Sequence, residues 1–316
     1  MTDPDVFTFG ETMALFVAQA IGPLGASPAA DLRIGGAESN VAIAMARLGH
    51  PVAWSGVIGD DPLGDLVERT LRGQQVDVTV IRSPDCPTGL MIKERRTPHR
   101  GRVLYYRSGS AGSTINAAML DLDLIPRSRV LHLTGITVAL SASSRDAVES
   151  ALSVASIAGV PVSFDLNYRA ALWSELEART AYRLIVPRCT VVFASVAEAR
   201  ILVGKPLAAV ELAYEIANLG PTEVVIKDGG RGSLSLVGGK IESVPALEIP
   251  AVDTVGAGDA FDAGYLSGLL RGAEPRARLE LATAVAAFAC MSSGDWEGSP
   301  THADLALLGG PHDVVR

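Results

Sequence analysis

An α/β fold with a parallel central sheet and a smaller lid sheet is predicted by three features of the 316-residue chain. Short runs rich in β-branched residues alternate with longer Ala- and Leu-rich segments at helical spacing, which is typical of βαβ units. The short runs are apolar without strict alternation, as expected for parallel strands that are buried on both faces. Two regions, roughly 12–36 and 87–108, lack intervening helices and predict the lid sheet.

The candidate elements follow this alternation along the chain. The strand candidates are the runs VAWSGV, VLHLTGI, VPVSFDLN, TVVFAS and EVVIKDG. The helix candidates are Asn40–Leu48, Pro62–Arg72, Ser143–Ala158, Ser174–Val186, Ala208–Leu219, Asp259–Leu270 and Pro275–Ser292. Within the lid, TGLMIKE and RVLYYR flank the polar turn RRTPHRG and predict a β-hairpin. Because the sequence has no fixed-period repeat and no low-complexity linker, we expect one domain over residues 1–316, with the lid strands as insertions.

Composition and charge narrow the classes of partner. The net charge of −8, with no stretch that concentrates Lys and Arg among aromatics, leads us to expect no nucleic-acid partner. Cys86, Cys189 and Cys290 lack metal or disulfide spacing, which favours a reducing cytoplasm. The N-terminus lacks an apolar signal core and no apolar run reaches the length of a membrane span, so we expect no membrane association.

The glycine strip DTVGAGDAFDAG, residues 253–264, is the main chemical motif of the sequence. It places Gly256, Ala257 and Gly258 between an apolar extended run and a helix that begins near Asp259. Amides at a helix start lack intrahelical partners, and the helix dipole favours an anion such as phosphate there. Asp259 is placed to accept a proton from a nearby hydroxyl. An ordinary strand-to-helix turn is the alternative for an isolated Gly-x-Gly.

Other glycine motifs that bind phosphate do not match this sequence. The P-loop pattern fails around Gly204 and Lys205, because Ala199 and Pro206 stand where Gly and Ser or Thr belong. The dinucleotide pattern GxGxxG fails because GAGDAF ends on Phe261. The HRD and DFG landmarks of protein kinases are absent from the sequence.

Two long signatures resemble those of the PfkB/ribokinase family of carbohydrate kinases. DTVGAGDAFDAG resembles the C-terminal signature, and GGAESNVAIAMARLG (Gly35–Gly49) resembles the N-terminal one. The lid-like strands and the segments VSFDLNYR and KDGGRG also fall where the family has counterparts, so the resemblance spans nearly the whole chain. It implies a ribokinase-like fold, with a doubly wound α/β core and a small β-sheet lid. It also implies a sugar kinase that uses ATP and Mg²⁺, and it leaves open whether a monovalent cation takes part.

The resemblance assigns roles within the glycine strip. Asp259 would be the catalytic base that takes the proton from the sugar hydroxyl. The amides of Gly256–Gly258 would form the anion hole around the phosphoryl group in transfer. It gives Asp253 no direct catalytic role, and we expect Asp262 to be a solvated or capping acid.

On the nucleotide side, KDGGRG resembles the nucleotide loop of the family, with a plain hairpin turn as the structural alternative. Glu198 stands where the family has a Glu in the water network around magnesium and phosphate, so we expect it to meet the metal only through water. Ser195 replaces an Asn of that motif, and a helix start capped by Ser195 is the alternative. The residues expected to bind the nucleotide are Asn167, Ser195, Glu198, Lys227, Gly229, Gly230, Gly232, Gly256 and Gly258.

The substrate expectation depends on two arginines. Arg107, after the lid run RVLYY, and Arg169, in DLNYR, suit a carboxylate, whereas a neutral sugar has no such need. Together with GGAESN, LHLTGI and GDWEGSP, these segments resemble the family members that phosphorylate 2-keto-3-deoxygluconate, a six-carbon keto acid. The residues that this resemblance places around the sugar are Gly35, Gly36, Asn40, Tyr105, Arg107, Ile136, Arg169, Asp259 and Asp295.

The expected reaction is transfer of the ATP γ-phosphoryl group to the C6 hydroxyl of that sugar acid. A fructokinase, ribokinase or nucleoside kinase of the same family is the alternative, as is a non-catalytic sugar sensor on the same fold. The gluco and galacto epimers of the substrate are not separated by the sequence. The unpaired edges expected of the lid sheet favour a homo-oligomer.

Overall fold

The computed structural model describes residues 3–26, 29–97 and 100–309. The strands are β1 (Val6–Phe9), β2 (Met13–Ile21), β3 (Ala30–Gly35), β4 (Val52–Gly59), β5 (Asp77–Ser83), β6 (Leu90–Thr97), β7 (Arg100–Tyr106), β8 (Val130–Thr134), β9 (Val162–Asp165), β10 (Val191–Ser195), β11 (Glu223–Lys227), β12 (Ser233–Val237) and β13 (Lys240–Val244). The helices are α1 (Ala37–Arg47), α2 (Pro62–Gly73), α3 (Gly135–Leu140), α4 (Ala142–Ala158), α5 (Glu175–Ile185), α6 (Val196–Val203), α7 (Ala209–Ala217), α8 (Ala257–Leu270), α9 (Pro275–Cys290) and α10 (His302–Leu305).

The central sheet confirms the predicted doubly wound α/β core. Its strand order is β13-β12-β11-β10-β9-β8-β1-β4-β5. The strands from β11 to β5 are parallel, and only β12 and β13 join that sheet antiparallel. The chain therefore winds outward from β1 in both directions. Side chains from α4 to α7 fill the core on one face, and side chains from α1, α2, α8 and α9 fill it on the other.

The second sheet has the order β3-β2-β6-β7, and its strands fall within the two predicted lid regions. Strands β6 and β7 form the predicted antiparallel hairpin, although residues 98 and 99 of its turn lie outside the described residues. One face of the lid buries Met13, Leu15 and Met91. Because side chains alternate along a strand, the other face leaves Leu32 and Tyr106 exposed.

All seven predicted helices form, with ends that differ by up to three residues, and three further helices were missed. The strand candidate VLHLTGI was predicted too long. It ends at Thr134, because the Thr134 hydroxyl accepts a hydrogen bond from the Ile136 amide at 3.1 Å and caps α3. Ile136 is therefore a helical residue. No helix within the described ranges is both long and apolar enough to span a membrane.

The apolar run before the glycine strip, which we expected to be extended, does not form a strand. Strand β13 ends at Val244, and residues 245–256 join neither sheet. Pro245 and Pro250 interrupt this segment and lack the amide hydrogen that a ladder needs. Helix α8 then begins two residues earlier than expected, with Gly256 as its N-cap in the left-handed region at φ 75°.

Candidate active site

The expected site residues gather at the carboxyl edge of the parallel strands. Ile136 follows β8, Asn167 follows β9, Ser195 ends β10 and Lys227 ends β11. In parallel α/β sheets, ligands bind at this edge because loops and helix starts meet there. The central sheet therefore brings together segments that are far apart in the sequence, opposite the start of α8.

Asp259 lies in the first turn of α8 and is 8% exposed. Its Oδ2 accepts a hydrogen bond from Asn40 Nδ2 at 2.8 Å, and its Oδ1 accepts one from Asn167 Nδ2 at 3.4 Å. Burial raises the pKa of Asp259 to about 7, against the opposing effect of the Asn40 hydrogen bond. A carboxylate with this pKa is suited to take a proton from a hydroxyl near neutral pH.

The start of α8 has the geometry of an anion-binding turn. Gly256 carries no side chain that caps the helix, and a Cβ there would overlap the main-chain carbonyl of Asp295. Only glycine fits this left-handed, tightly packed position. The Ala257 amide already donates to the Thr254 carbonyl at 3.3 Å. The remaining first-turn amides are those that a helix cannot satisfy internally.

A buried ion cluster lies behind this helix start. Lys227 Nζ donates to Asp165 Oδ2 at 2.9 Å and to Asp262 Oδ1 at 3.0 Å. The expectation that Asp262 is solvated is wrong, because it is 1% exposed and faces the core side of α8. Burial raises the pKa of Asp262, whereas Lys227 overcomes the effect of burial and lowers the pKa of Asp165. The cluster ties β9 and β11 to α8.

A cavity of about 600 Å³ opens beside the helix start. Five of the residues expected to bind the nucleotide line it, namely Lys227, Gly229, Gly230, Gly232 and Gly258. The residues that sequence reasoning missed form its apolar wall: Ala246, Leu247, Ile249, Ala251, Phe261, Ala286, Ala287 and Cys290. Ile249 and Ala251 belong to the apolar run before the strip, whereas Phe261, Ala286, Ala287 and Cys290 come from α8 and α9 and carried no signal in the sequence. The glycine loop and apolar wall suit a flat ring with an anionic tail.

Ser195 and Glu198 do not line this cavity. The Ser195 hydroxyl accepts a hydrogen bond from the Glu198 amide at 3.2 Å, and Glu198 Oε2 accepts one from the Ser195 amide at 2.7 Å. This is a capping box at the start of α6, as the structural alternative for Ser195 predicted. Glu198 Oε1 accepts from the Tyr168 amide at 3.0 Å. Across the described residues, no group of three or more His, Cys, Asp and Glu could hold a metal ion.

A second cavity, of about 730 Å³, lies between the lid edge and the segment after β9. Tyr105, Arg107 and Arg169 all line it, as does Arg102. The two expected guanidinium groups differ, however. Arg107 Nε donates to Glu11 Oε2 at 2.7 Å, whereas Arg169 is exposed and donates to the Tyr168 carbonyl at 3.0 Å. Glu11 was missed, because one acid in the link between β1 and β2 carries no pattern in the sequence.

The Gly35-Gly36 pair and Asp295 meet beneath the lid. A Cβ at Gly35 would lie 2.5 Å from Asp295 Oδ2, and a Cβ at Gly36 would overlap the Glu11 carbonyl. The glycines thus make room for other parts of the chain at the floor of the lid. The Asp295 side chain is 9% exposed with Lys93 Nζ 3.9 Å away, and burial raises its pKa to about 6.

Lys93 also ion-pairs with Asp253, the first residue of the glycine strip. The Gly294 amide donates to the same Asp253 oxygen at 3.3 Å. Asp253 therefore ties lid strand β6 to the loop before α8, which agrees with the structural role expected from the sequence. Ile136, at 8% exposure, is buried in the first turn of α3.

The combination of a doubly wound core, a lid sheet and a glycine-led helix start is that of a known class of α/β phosphotransferases. The model of the pfkB family carbohydrate kinases matches residues 3–302. A 2-dehydro-3-deoxygluconokinase from Bacillus subtilis is 35% identical over 96% of this chain and 94% of its own length. A 2-dehydro-3-deoxygalactonokinase from Haloferax volcanii is 33% identical over 99% of each chain.

A solved structure agrees with these relatives. The crystal structure of a 2-dehydro-3-deoxygluconokinase from Thermotoga maritima superposes with a TM-score of 0.90 and 27% identity, over 96% of this chain and 99% of that one. The chain belongs to the PfkB family of carbohydrate kinases.

Proposed function

We propose that the protein transfers the γ-phosphoryl group of ATP to the C6 hydroxyl of 2-keto-3-deoxygluconate, giving 2-keto-3-deoxy-6-phosphogluconate. The observation that carries this proposal is the cavity that Tyr105, Arg107 and Arg169 line together. Two guanidinium groups beside one cavity suit a sugar acid better than a neutral sugar. The names of the Bacillus subtilis and Thermotoga maritima relatives, which use 2-dehydro for the same 2-keto group, support the same substrate.

On the sugar side, Asp259 receives the proton of the attacking C6 hydroxyl. Asn40 and Asn167 hold its two carboxylate oxygens, so the carboxylate cannot rotate away from the acceptor. The positive charges of Arg169 and Lys227 both favour the ionised form of Asp259, which is the form that accepts a proton. Asp295 and Asn40 approach the sugar from the floor beneath the lid.

On the nucleotide side, the base binds in the apolar cavity, and the glycine loop after β11 lies along the phosphates. The Lys227 ammonium lies near the helix start, since a Cβ at Gly258 would be 3.6 Å from Nζ. First-turn amides and this ammonium together stabilise the charge on the phosphoryl group in transfer.

Magnesium, when bound, neutralises charge on the triphosphate and is held mainly by phosphates and waters. The residues present fit that arrangement, because main-chain hydrogen bonds fix both Glu198 oxygens and each keeps a lone pair that could accept from a water of the magnesium shell. Glu198 accordingly orients that water shell from the start of α6.

We propose further that residues 1–316 act as one kinase domain, whose lid closes over the sugar and excludes water as a competing acceptor. A homo-oligomer is supported by the exposed apolar side chains of the lid, including Ile21, Leu32 and Tyr106. A cytoplasmic location is supported by three free cysteines. Light scattering on the purified protein tests the oligomer, since a monomeric mass at all concentrations contradicts it.

A substrate panel at saturating ATP and Mg²⁺ tests the activity. We expect kcat/KM to be highest for 2-keto-3-deoxygluconate or its galacto epimer, with fructose, ribose and adenosine far below. Running both epimers decides between the substrates named for the Bacillus and Haloferax relatives. Faster turnover of fructose or ribose contradicts the acid-sugar assignment, and no transfer to any sugar favours the sensor alternative.

A further inference from the structure

We propose that Glu11 is a positioning residue that aims the Arg107 guanidinium at the substrate carboxylate. The proposal rests on the proposed function, because it concerns how the same kinase selects an acid sugar. Glu11 belongs to no motif identified in the sequence. Its effect on the substrate is indirect, through the orientation of one arginine.

Glu11 lies where the lid joins the core. It precedes β2, and Arg107 directly follows β7, so the pair links the ends of two lid strands that β6 separates. The Glu11 side chain is 0% exposed and that of Arg107 is 11% exposed. A carboxylate taken fully out of water is stable only when it is paired, so the Glu11 carboxylate should remain in contact with Arg107.

Both oxygens of the Glu11 carboxylate are used. Oε2 accepts from Arg107 Nε at 2.7 Å and is in ion-pair contact with Arg107 Nη2. Oε1 accepts from the Ser110 hydroxyl. The carboxylate is thus held at both ends, by the guanidinium on one side and by the loop after β7 on the other.

Two glycines reserve the space that the Glu11 side chain occupies. A Cβ at Gly89 would lie 2.6 Å from Glu11 Oε1, and a Cβ at Gly112 would overlap Glu11 Cγ. Neither glycine has the positive φ that would require glycine for backbone reasons. Their small size therefore serves to seat the glutamate against Arg107.

The orientation of Arg107 follows from these contacts. Glu11 contacts Nε and Nη2 on one edge of the planar Arg107 guanidinium. Nη1 therefore remains available to a ligand in the cavity that Tyr105 and Arg169 also line. The guanidinium carbon lies 5.8 Å from the Tyr105 ring centroid, which restrains the fork further. A fork held in advance loses less conformational freedom when it binds a carboxylate.

Two alternative roles for Glu11 predict different changes in KM when Glu11 is replaced. If Glu11 only neutralised Arg107, its removal would leave more positive charge for the substrate, and KM for the acid would fall. If Glu11 positions Arg107, its removal frees the fork to rotate, and KM for the acid rises. A purely structural role would change the kinetics of acid and neutral sugars alike.

The experiment compares wild type with Glu11→Gln, which keeps size and removes charge. Substrates are 2-keto-3-deoxygluconate and 3-deoxyfructose, in which a hydroxymethyl group replaces the carboxylate. We expect KM for the acid to rise about tenfold, the effect of losing an oriented charge-assisted hydrogen bond. KM for 3-deoxyfructose and for ATP, and kcat for both sugars, stay within about twofold. A fall in KM for the acid, or equal changes for both sugars, overturns the proposal.

The matched control is Glu223→Gln, which breaks another partly buried Glu–Arg pair, with Arg278 at 2.7 Å, at the opposite end of β11. It should leave both KM values unchanged. Ser110→Ala is the second test if Glu11→Gln does not fold, because it loosens Oε1 while retaining the charge. It should raise KM for the acid alone, by about threefold. If KM for the acid does not rise selectively, the proposal is overturned.

A double variant shows whether Glu11 acts through Arg107. In an Arg107→Ala background, Glu11→Gln should add nothing to KM for the acid, whereas an additive effect would mean that Glu11 acts independently. The wild-type enzyme separates the two proposals. If it does not prefer the acid over 3-deoxyfructose, the proposed function fails and takes this inference with it. If it prefers the acid and Glu11→Gln keeps that preference, only the role of Glu11 fails.

Discussion

The proposed sugar-binding and nucleotide-binding regions, on either side of the first turn of α8, differ in the groups that line them. On the sugar side, two polar side chains are held by other side chains: Asp259 by Asn40, and Arg107 by Glu11. On the nucleotide side, the cavity is lined by glycines and apolar residues, with Lys227, whose side chain is 16% exposed, as its cation. One side depends on side-chain chemistry, and the other depends on backbone shape.

Substrate specificity and sensitivity to substitution should therefore differ between the two sides. A side chain discriminates between ligands by its charge and hydrogen-bond pattern, so single substitutions on the sugar side should change which sugar is accepted. Backbone amides are donors to phosphate that a side-chain substitution does not remove, so on the nucleotide side the glycine turn should fail only when its backbone is disturbed. Each prediction below tests one half of that contrast.

The largest effect is expected for Asp259→Asn on the sugar side. Asparagine keeps the size, and its one amide oxygen can still accept the hydrogen bond from Asn40, but it cannot take the proton. We therefore expect kcat to fall by about 10³-fold or more while sugar and ATP still bind. Steady-state kinetics and titration calorimetry measure the two quantities. Asp304→Asn, in the first turn of α10, is the control and should leave kcat and the binding of sugar and ATP unchanged. Turnover near the wild-type rate would remove Asp259 from the base role.

Gly256→Ala tests the backbone side. The left-handed φ of 75° and the overlap of a Cβ with the Asp295 carbonyl require the turn to move. We expect kcat to fall by about 10²-fold, as when a donor of an oxyanion hole is lost, with a lower Tm. Gly73→Ala is the control, because a Cβ there meets open space. An active and fully stable Gly256→Ala enzyme would show that the turn is not an anion hole.

Arg169→Ala tests whether Arg169 recognises the carboxylate of the sugar acid. Loss of a hydrogen bond from a charged group should raise KM for the sugar acid by about 20-fold and leave KM for 3-deoxyfructose almost unchanged. Arg183→Ala, at an exposed position on α5, is the control. Equal loss for both sugars would place Arg169 outside carboxylate recognition.

The pH dependence of turnover reports on Asp259 directly. Because only the ionised form accepts a proton and its pKa is about 7, kcat should level off above that pH. Below it, kcat should fall by about tenfold per pH unit. Tm measured over the same range separates titration from unfolding. A profile that stays flat down to pH 5 would contradict the raised pKa of the buried carboxylate.

Ser195→Ala should have the smallest effect, since this side chain caps α6 and does not line the nucleotide cavity. We expect a loss of about 1 kcal/mol in the free energy of unfolding and no change in KM for ATP. Ser174→Ala removes the same kind of capping box from α5 and should match that loss. A rise of tenfold in KM for ATP would instead place Ser195 in the nucleotide site.

Sequence reasoning proposed the parts of the candidate site that are local in the chain. Asp259 and the glycines before it share one helix start, and their pattern can be read within twelve residues. Glu11, Asp262 and the apolar wall of the nucleotide cavity were missed or misjudged. The partners of Glu11 and Asp262, Arg107 and Lys227, lie far away in the sequence. No window of the sequence contains such pairs.

The alternation of strands and helices, the two lid regions and the glycine turn before α8 can be predicted from the sequence alone. Each of these follows from periodicity or from the backbone freedom of glycine, which act over a few residues. The charges that are neutralised and those that stay available depend on the tertiary structure. Burial raises the pKa of Asp259, and contacts between distant parts of the chain pair Asp262 with Lys227 and Arg107 with Glu11. Desolvation and pairing depend on distance in space, which the linear order of residues does not contain.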